Sequence, residues 1–168
     1  MPSSNRPSDA TRTRLSPEDR QQQLLRVASD IIETDGVDSV RIPYVAAAAG
    51  VTRPVVYKFF PNRHELIKGV LEDFREEFAR RAPDILNTED DADIASIARG
   101  FIDAACDTIE ARGPGGWQIL RSAGHDQEIS TISKDFRRQL VQPWLIPLRE
   151  LTGVDDAEAL ALADMFLT

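Results

Sequence analysis

The stretch AAAAGVTRPVVYKFF, from Ala46 to Phe60, decides the fold of this 168-residue chain. A run of small residues, a glycine and a threonine separate two helical segments within it. The small residues let the second helix approach the first closely, Gly50 turns the chain without a Cβ penalty, and Thr52 caps the second helix. Two short helices joined by a tight turn that contains glycine form a helix-turn-helix.

The second of these helices has two chemically different sides. Its spacing predicts that Val56, Phe59 and Phe60 share the side that faces the core. The other side is polar and charged, which suits contacts with DNA, because the second helix of a helix-turn-helix can enter the major groove. Since no acid occupies the third helical position, we expect the N–H donors and the dipole at the helix start to remain available for a phosphate.

Four residues of the polar side carry this expectation. Arg53 and Lys58 add positive charge, and the Tyr57 hydroxyl can donate to a phosphate oxygen. Val55 offers methyl groups to a thymine methyl. The alternative is a plain three-helix bundle in which Tyr57 is a half-buried core residue and the charges are solvated.

Helical periodicity dominates the rest of the sequence, which predicts an all-α protein. A first helix starts at the Ser16 cap and stops at Gly36, and the two short helices span 42–49 and 53–60. Asn62 and Glu65 have the spacing of a capping box, which opens a fourth helix that we expect to run until Pro83.

The second half of the sequence predicts four further helical segments after an acidic loop at 84–93. They cover 94–109, 117–122, about 128–151, and a last segment that begins near Asp155. Pro143 and Pro147 should kink or divide the third of them. The last segment still presents Leu160, Met165 and Phe166 where the sequence ends, so we expect either a truncated chain or an apolar face that a partner covers.

Composition excludes several classes of protein. The chain is 42% hydrophobic and 29% charged, which is typical of a soluble globular protein. No apolar run approaches the roughly 20 residues that a membrane span needs, and the N-terminus lacks the apolar stretch of a secretory signal, so we expect a cytoplasmic protein. The single Cys106 and the two histidines give no metal-ligand spacing. Without a phosphate loop or nucleophile elbow, no enzyme and no cofactor is expected.

The net charge of −8 is unevenly distributed. Residues 1–68 contain ten Lys and Arg against eight Asp and Glu, whereas the remainder contains ten against twenty. A polyanion is bound mainly through Lys and Arg, so the overall charge argues against nucleic acid while the first part does not. The segregation predicts two regions with different partners, although a solvated acidic face explains a negative half equally well.

The segment from Gly36 to Leu66, GVDSVRIPYVAAAAGVTRPVVYKFFPNRHEL, resembles the DNA-binding segment of the TetR family of bacterial transcriptional regulators. The matching landmarks run in the family's order and spacing, and the resemblance extends over residues 16–67. They are Gly36, Val45-Ala46, Ala49-Gly50-Val51-Thr52, Tyr57, Phe60 and Glu65-Leu66, with a basic residue before the last pair.

The resemblance implies the contacts that individual residues make with DNA. Thr52, Tyr57 and Lys58 would hold phosphates, Arg53, Pro54 and Val55 would lie nearest the bases, and Arg63 would touch the backbone from the start of the fourth helix. Three residues depart from the family pattern. Arg41 stands where the family usually has a hydroxyl residue. Either the helix cap made by that hydroxyl is lost, or the arginine makes an ionic contact with a phosphate where the hydroxyl would have made a hydrogen bond. Pro54 replaces a common glycine, and Arg63 replaces a common lysine.

The resemblance also implies the domain organisation and the partners. A flexible basic arm (1–15) would precede a DNA-binding domain (16–65) and a helical domain that binds ligand and dimerises (66–168). A homodimer would bind a palindromic operator in double-stranded DNA as a repressor and leave it when a small-molecule effector binds, without a membrane partner. The arm, with Arg6, Arg12 and Arg14, would reach a minor groove or the backbone, or else is simply disordered.

Candidates for the effector pocket are the aromatic and polar residues of the second domain, although aromatic residues at helical spacing are usually core. A ligand wedged against Phe74 or Phe78 would tilt the fourth helix and change the spacing of the recognition helices. The dimer interface is expected at 160–166, together with the helix around Trp144 and Leu148. The alternative function is a protein–protein adaptor that keeps a helix-turn-helix as scaffold. The pocket candidates are Phe74, Phe78, Phe101, Cys106, Trp117, Leu120, Arg121, His125, Phe136 and Trp144.

Overall fold

The computed structural model describes residues 15–86, 93–121 and 127–165, and all regular structure in these ranges is helical. The sequence-based expectation of an all-α protein is therefore confirmed. The basic arm, His125 and Phe166 lie outside the described residues. The helices are α1 (Pro17–Asp35), α2 (Ile42–Ala48), α3 (Arg53–Phe59), α4 (Arg63–Leu86), α5 (Ile94–Arg112), α6 (Gly115–Arg121), α7 (Gln127–Val141), α8 (Leu145–Thr152) and α9 (Asp156–Met165).

The first three helices form a small domain whose boundaries follow the capping residues. The Ser16 hydroxyl accepts from the Asp19 N–H at the start of α1, and Gly36 ends that helix with a φ of 81°. A short 3-10 turn, Val37–Ser39, then leads to α2. Gly50, with a φ of 65°, makes the turn between α2 and α3, where a residue with a side chain would be strained.

The fourth helix links this domain to the C-terminal helices. It begins where the Asn62 side chain accepts from the Glu65 N–H at 2.9 Å, which is half of the expected capping box. The prediction that it ends at Pro83 is wrong, because α4 continues to Leu86. A proline within a helix removes one hydrogen bond and crowds the carbonyl four residues earlier, but three residues from the helix end the remaining backbone bonds continue the last turn.

The prolines of the later helices act differently from each other. Pro143 lies in a 3-10 turn, Gln142–Trp144, that separates α7 from α8, so the expected division occurs there. Pro147 lies in the first turn of α8 and does not divide it, because an N–H at that place has no partner within the helix.

The start of α6 fastens the C-terminal helices to α1. The Gly115 N–H donates to the buried Ser29 hydroxyl of α1 at 2.9 Å. A Cβ added at Gly115 would lie 2.7 Å from the Ser29 Cα, and one at Gly116 would lie 2.6 Å from the Phe74 Cβ. Glycine is therefore required at both positions by the close approach of α6 to α1 and α4.

A second connection between the domains is polar. The Arg112 guanidinium of α5 lies 3.0 Å from the buried Glu77 carboxylate of α4 and donates to the Gln22 side chain of α1 at 2.9 Å. Gln22 donates in turn to Asp73 of α4 at 2.9 Å. Helices α1, α4 and α5 are thus held by one network at the boundary of the two domains.

Candidate nucleic-acid interface

The α3 helix separates a buried side from an exposed side. Val56 and Phe60 are buried in the core and Phe59 packs against it, as the spacing predicts. Tyr57 is 50% exposed, so about half of this residue is accessible to a partner. The other exposed residues of this side are Thr52, Arg53, Pro54 and Lys58, with Val55 half-buried at its edge.

The start of α3 differs from the prediction. Within the described residues, the Thr52 side chain makes no capping hydrogen bond. A cap would accept from the second or third helical N–H, but Pro54 has none and the Val55 N–H donates to the Thr52 carbonyl at 3.0 Å. The Thr52 hydroxyl therefore stays available to an external partner. Neither of these two backbone positions therefore offers a free N–H to an anion.

Arg41 lies at the N-terminus of α2, where the family pattern has a hydroxyl residue. Arg41 occupies the cap position and, in the described part of the chain, makes no side-chain cap. Its guanidinium carbon lies 6.0 Å from the centre of the Tyr44 ring, and both side chains are exposed. Sequence reasoning did not single out Tyr44; the signal available for it was an aromatic residue opposite the buried side of α2.

Arg63 has a different environment from the other candidate DNA contacts. Its Nε donates to the Val40 carbonyl at 2.9 Å, and one Nη donates to the Val37 carbonyl at 3.0 Å. The same Nη lies 3.5 Å from the Asp38 carboxylate. These bonds attach the start of α4 to the turn before α2. A backbone contact from Arg63 stays a prediction, and its visible contacts position α4 against the DNA-binding domain.

Some of the residues that are predicted to line the effector pocket contact one another, and the others lie apart. Phe78, Phe101 and Trp144 form a buried cluster with ring centres 5.1 to 6.4 Å apart. Phe74 lies 6.5 Å from Phe78 and 6.2 Å from Trp117. Leu120 is also buried in the core.

Three other pocket candidates lie away from these rings. Cys106 and Arg121 are exposed, so the expectation that they line a shared pocket is wrong. The inward side of α5 is formed by Phe101 and Ala105, which turns Cys106 outward. Phe136 lines a separate groove of about 360 Å³ between α4 and α7.

Two buried features of the C-terminal core bear on its chemistry. The indole Nε1–H of Trp144 is buried and has no hydrogen-bond partner among the described residues. A buried donor left unpaired costs roughly 1–3 kcal/mol, so such a group calls for an explanation. Trp144 and Leu148 are both buried inside the chain, so a dimer contact of their helix would use its exposed side, and the interface itself stays a prediction.

Two other kinds of site have no counterpart in the part of the chain that the structure describes. Residues 15–86, 93–121 and 127–165 contain no group of three or more His, Cys, Asp or Glu side chains placed to hold a metal ion. None of the helices described there is both long enough and apolar enough to cross a membrane.

Comparison with known proteins agrees with this arrangement. Residues 24–70 match the family described as bacterial regulatory proteins, tetR family. The chain is 29% identical over 90 residues to the nicotine-responsive transcriptional repressor HdnoR of Paenarthrobacter nicotinovorans, which covers 54% of this chain and 45% of that protein. It is 31% identical over 94 residues to the transcriptional regulator LuxR of Vibrio harveyi, covering 55% and 46%. The matched region thus spans less than half of the length of these two relatives.

A solved structure extends the similarity to nearly the whole fold. A TetR-like transcriptional regulator from Rhodococcus sp. RHA1 superposes with a TM-score of 0.70 over 92% of this chain and 83% of that one, at 19% identity. At this identity the likeness establishes the architecture, a helix-turn-helix followed by a helical domain.

Proposed function

The chain belongs to the TetR family of bacterial regulatory proteins, and we propose that it binds duplex DNA through the exposed side of α3 and regulates transcription. The single observation that carries this proposal is the division of α3 into two sides. Val56 and Phe60 fix the helix to the core, while Tyr57 and Lys58 extend into solvent from the opposite side. A short helix anchored in this way can enter a major groove without unfolding the domain.

The exposed residues of α3 have two proposed roles: some bind phosphates and position the helix on the duplex, and the others select the base sequence. Lys58, the Tyr57 hydroxyl and the free Thr52 hydroxyl bind phosphate oxygens and set the register of the helix on the duplex. Arg53, Pro54 and Val55 lie nearest the base edges. The rigid ring of Pro54 replaces a backbone donor by an apolar surface, so the choice of sequence falls to Arg53 and to the methyl groups of Val55.

A twofold dimer supplies the second recognition helix. One short helix reads few base pairs, whereas two helices about one DNA turn apart, roughly 34 Å, read a palindromic operator. Four apolar side chains of α8 and α9 are exposed and suit this interface. They are Ile146, Leu151, Leu160 and Met165.

The chain is proposed to act as a repressor that a small molecule releases from DNA. Helix α4 carries the signal, because Arg63 ties its start to the DNA-binding domain while Phe74 and Phe78 lie in the C-terminal core. These two points are about 16 to 22 Å apart along the helix. A ligand that separates the aromatic rings tilts α4, and it releases DNA only if it prefers the DNA-incompetent state.

The unpaired Trp144 donor indicates which effector chemistry fits. An aromatic or apolar molecule with one hydrogen-bond acceptor would part the packed rings and accept from Nε1–H. That bond is worth about 1 kcal/mol beyond the apolar contacts. An effector lacking the acceptor would leave the donor unpaired.

We expect acetophenone to raise the melting temperature of the protein more than isopropylbenzene, a molecule of similar shape without an acceptor. The difference should vanish in Trp144→Phe, which removes the donor, and persist in Trp117→Phe, which removes the other indole. Thermal unfolding at matched ligand concentrations measures it. An equal response to the two compounds in the wild type would contradict the proposed role of Trp144.

The alternative of a protein–protein adaptor predicts different behaviour towards DNA. A DNA-binding protein that neutralises several phosphates loses affinity steeply as salt rises, with a slope of about −0.9 per phosphate in log affinity against log salt. We expect the purified chain to bind duplex DNA at 50 mM salt with such a slope. An adaptor that keeps the helix-turn-helix as scaffold would show no duplex binding, and that result would overturn the proposed function.

A further inference from the structure

The groove between the start of α1 and α3 differs in charge from two other grooves among the described residues. It has a volume of about 590 Å³, and its walls carry Arg20 on one side and Lys58 on the other. Among its lining residues, all within the described ranges, there is no carboxylate. By contrast, the groove at the domain boundary is lined by Asp19 and Asp73 together with two arginines, and the groove between α4 and α7 is lined by four acidic residues and one lysine.

Asp19 lies beside this groove, where its carboxylate accepts from the Ser16 hydroxyl at 2.8 Å, but it lines the neighbouring groove at the domain boundary. A carboxylate on either wall would repel a polyanion and neutralise the cations. The Thr52 hydroxyl also lines this groove, and it is free of any capping bond within the part of the chain that the structure describes. The groove thus offers two cations and a hydroxyl directly beside the residues that are proposed to hold phosphates.

Arg20 is held in place by the helix-turn-helix itself. Its guanidinium donates to the Gln23 side-chain oxygen, and the Gln23 amide donates to the Ala49 carbonyl at 3.3 Å. Ala49 lies at the end of α2, where the chain turns towards α3. The guanidinium of an arginine has five N–H donors, and no other acceptor for that of Arg20 is found among residues 15–86, 93–121 and 127–165.

We propose that Arg20 is a further DNA-binding residue, which contacts a phosphate of the operator backbone from the α1 side of the groove, with Gln23 as its positioning residue. This inference rests on the proposed function and adds α1 to the surface that contacts the duplex. The occupant of the groove is a sugar-phosphate strand, because two cations facing each other across an open groove suit a continuous line of negative charge. Sequence reasoning missed Arg20 because nothing local distinguishes it from a solvated charge on an exposed helix.

The test measures the salt dependence of binding to a duplex selected from a random pool and to an unrelated duplex of equal length. Arg20→Ala should weaken binding to both duplexes and reduce the salt slope by about one per protomer. For a dimer, the loss relative to wild type should be roughly tenfold larger at 50 mM than at 200 mM salt. Arg20→Lys keeps the charge and should keep the slope.

Two further variants separate this role from a structural one. Arg99→Ala removes the same charge from an exposed position on α5 and should leave the slope unchanged. Gln23→Glu gives Arg20 an ionic partner that competes with phosphate, so it should reduce the slope although Arg20 is still present. An unchanged slope in Arg20→Ala, with wild-type binding intact, would overturn this inference and leave the proposed function standing. Absence of DNA binding by the wild type would overturn both.

Discussion

Replacing Lys58 by alanine and Tyr57 by phenylalanine together should lower the affinity for duplex DNA by roughly a thousandfold or more. Both side chains are proposed to bind a charged phosphate, a hydrogen bond to a charged group contributes about 1.5–3 kcal/mol, and a dimer loses each contact twice. Since these residues contact phosphates, binding should weaken for all sequences alike. Fluorescence anisotropy with a labelled duplex at several salt concentrations measures the change.

The double variant has a matched control on the other side of the molecule. Lys134 is an exposed lysine of α7, so Lys134→Ala removes the same charge away from the proposed surface and should leave affinity near the wild-type value. Because Tyr57 and Lys58 are both exposed, the free energy of unfolding of the double variant should stay within about 0.5 kcal/mol of wild type. Unchanged DNA binding would show that the DNA-binding surface has been assigned to the wrong side of α3.

Replacing Gly115 by alanine should destabilise the protein by about 3 kcal/mol, as overpacking of a close contact does. The new Cβ would lie 2.7 Å from the Cα of Ser29, a backbone atom that cannot rotate away. The change also threatens the bond from the Gly115 N–H to the Ser29 hydroxyl. Urea denaturation followed by circular dichroism measures the free energy of unfolding.

The loss of stability that is expected for Gly115→Ala is opposite to the gain that helix propensity alone would predict. Glycine to alanine within a helix normally stabilises a protein by roughly 0.5–1 kcal/mol, because glycine loses more conformational freedom on folding. Gly153→Ala is a useful comparison, since the Cβ that alanine adds there would meet open space. Only the left-handed φ of 69° would be strained for an alanine, at a cost of about 1–2 kcal/mol. If Gly115→Ala were as stable as wild type, the close approach of α6 to α1 would be incorrect.

Much of the DNA-binding domain could be predicted because its signals are local. The Ser16 cap, Gly36 and the Gly50 turn each depend on one or two residues whose backbone preferences are strong. The buried side of α3 follows from a spacing of three and four residues. These features need no knowledge of distant parts of the chain.

The errors arose where a distant or neighbouring backbone group decided the outcome. Thr52 was expected to cap α3, but Pro54 removes one donor and the Thr52 carbonyl takes the other. The bonds of Arg63 could not be predicted either, because its guanidinium donates to carbonyls more than 20 residues earlier in the chain, while its contact with the DNA backbone stays a prediction. Cys106 shares its helix with buried residues, and only the packing of α5 shows that its own side is exposed. Such contacts leave no periodic pattern in the sequence.

The measurement that tests the central claim most directly is selection of bound duplexes from a random DNA pool by the purified protein. We predict enrichment of one palindromic sequence, with half-sites about 10 base pairs apart from centre to centre, as two recognition helices related by a twofold axis require. Recovery of a pool without a common sequence, or of a motif without twofold symmetry, would contradict the proposal of a dimeric, sequence-specific regulator.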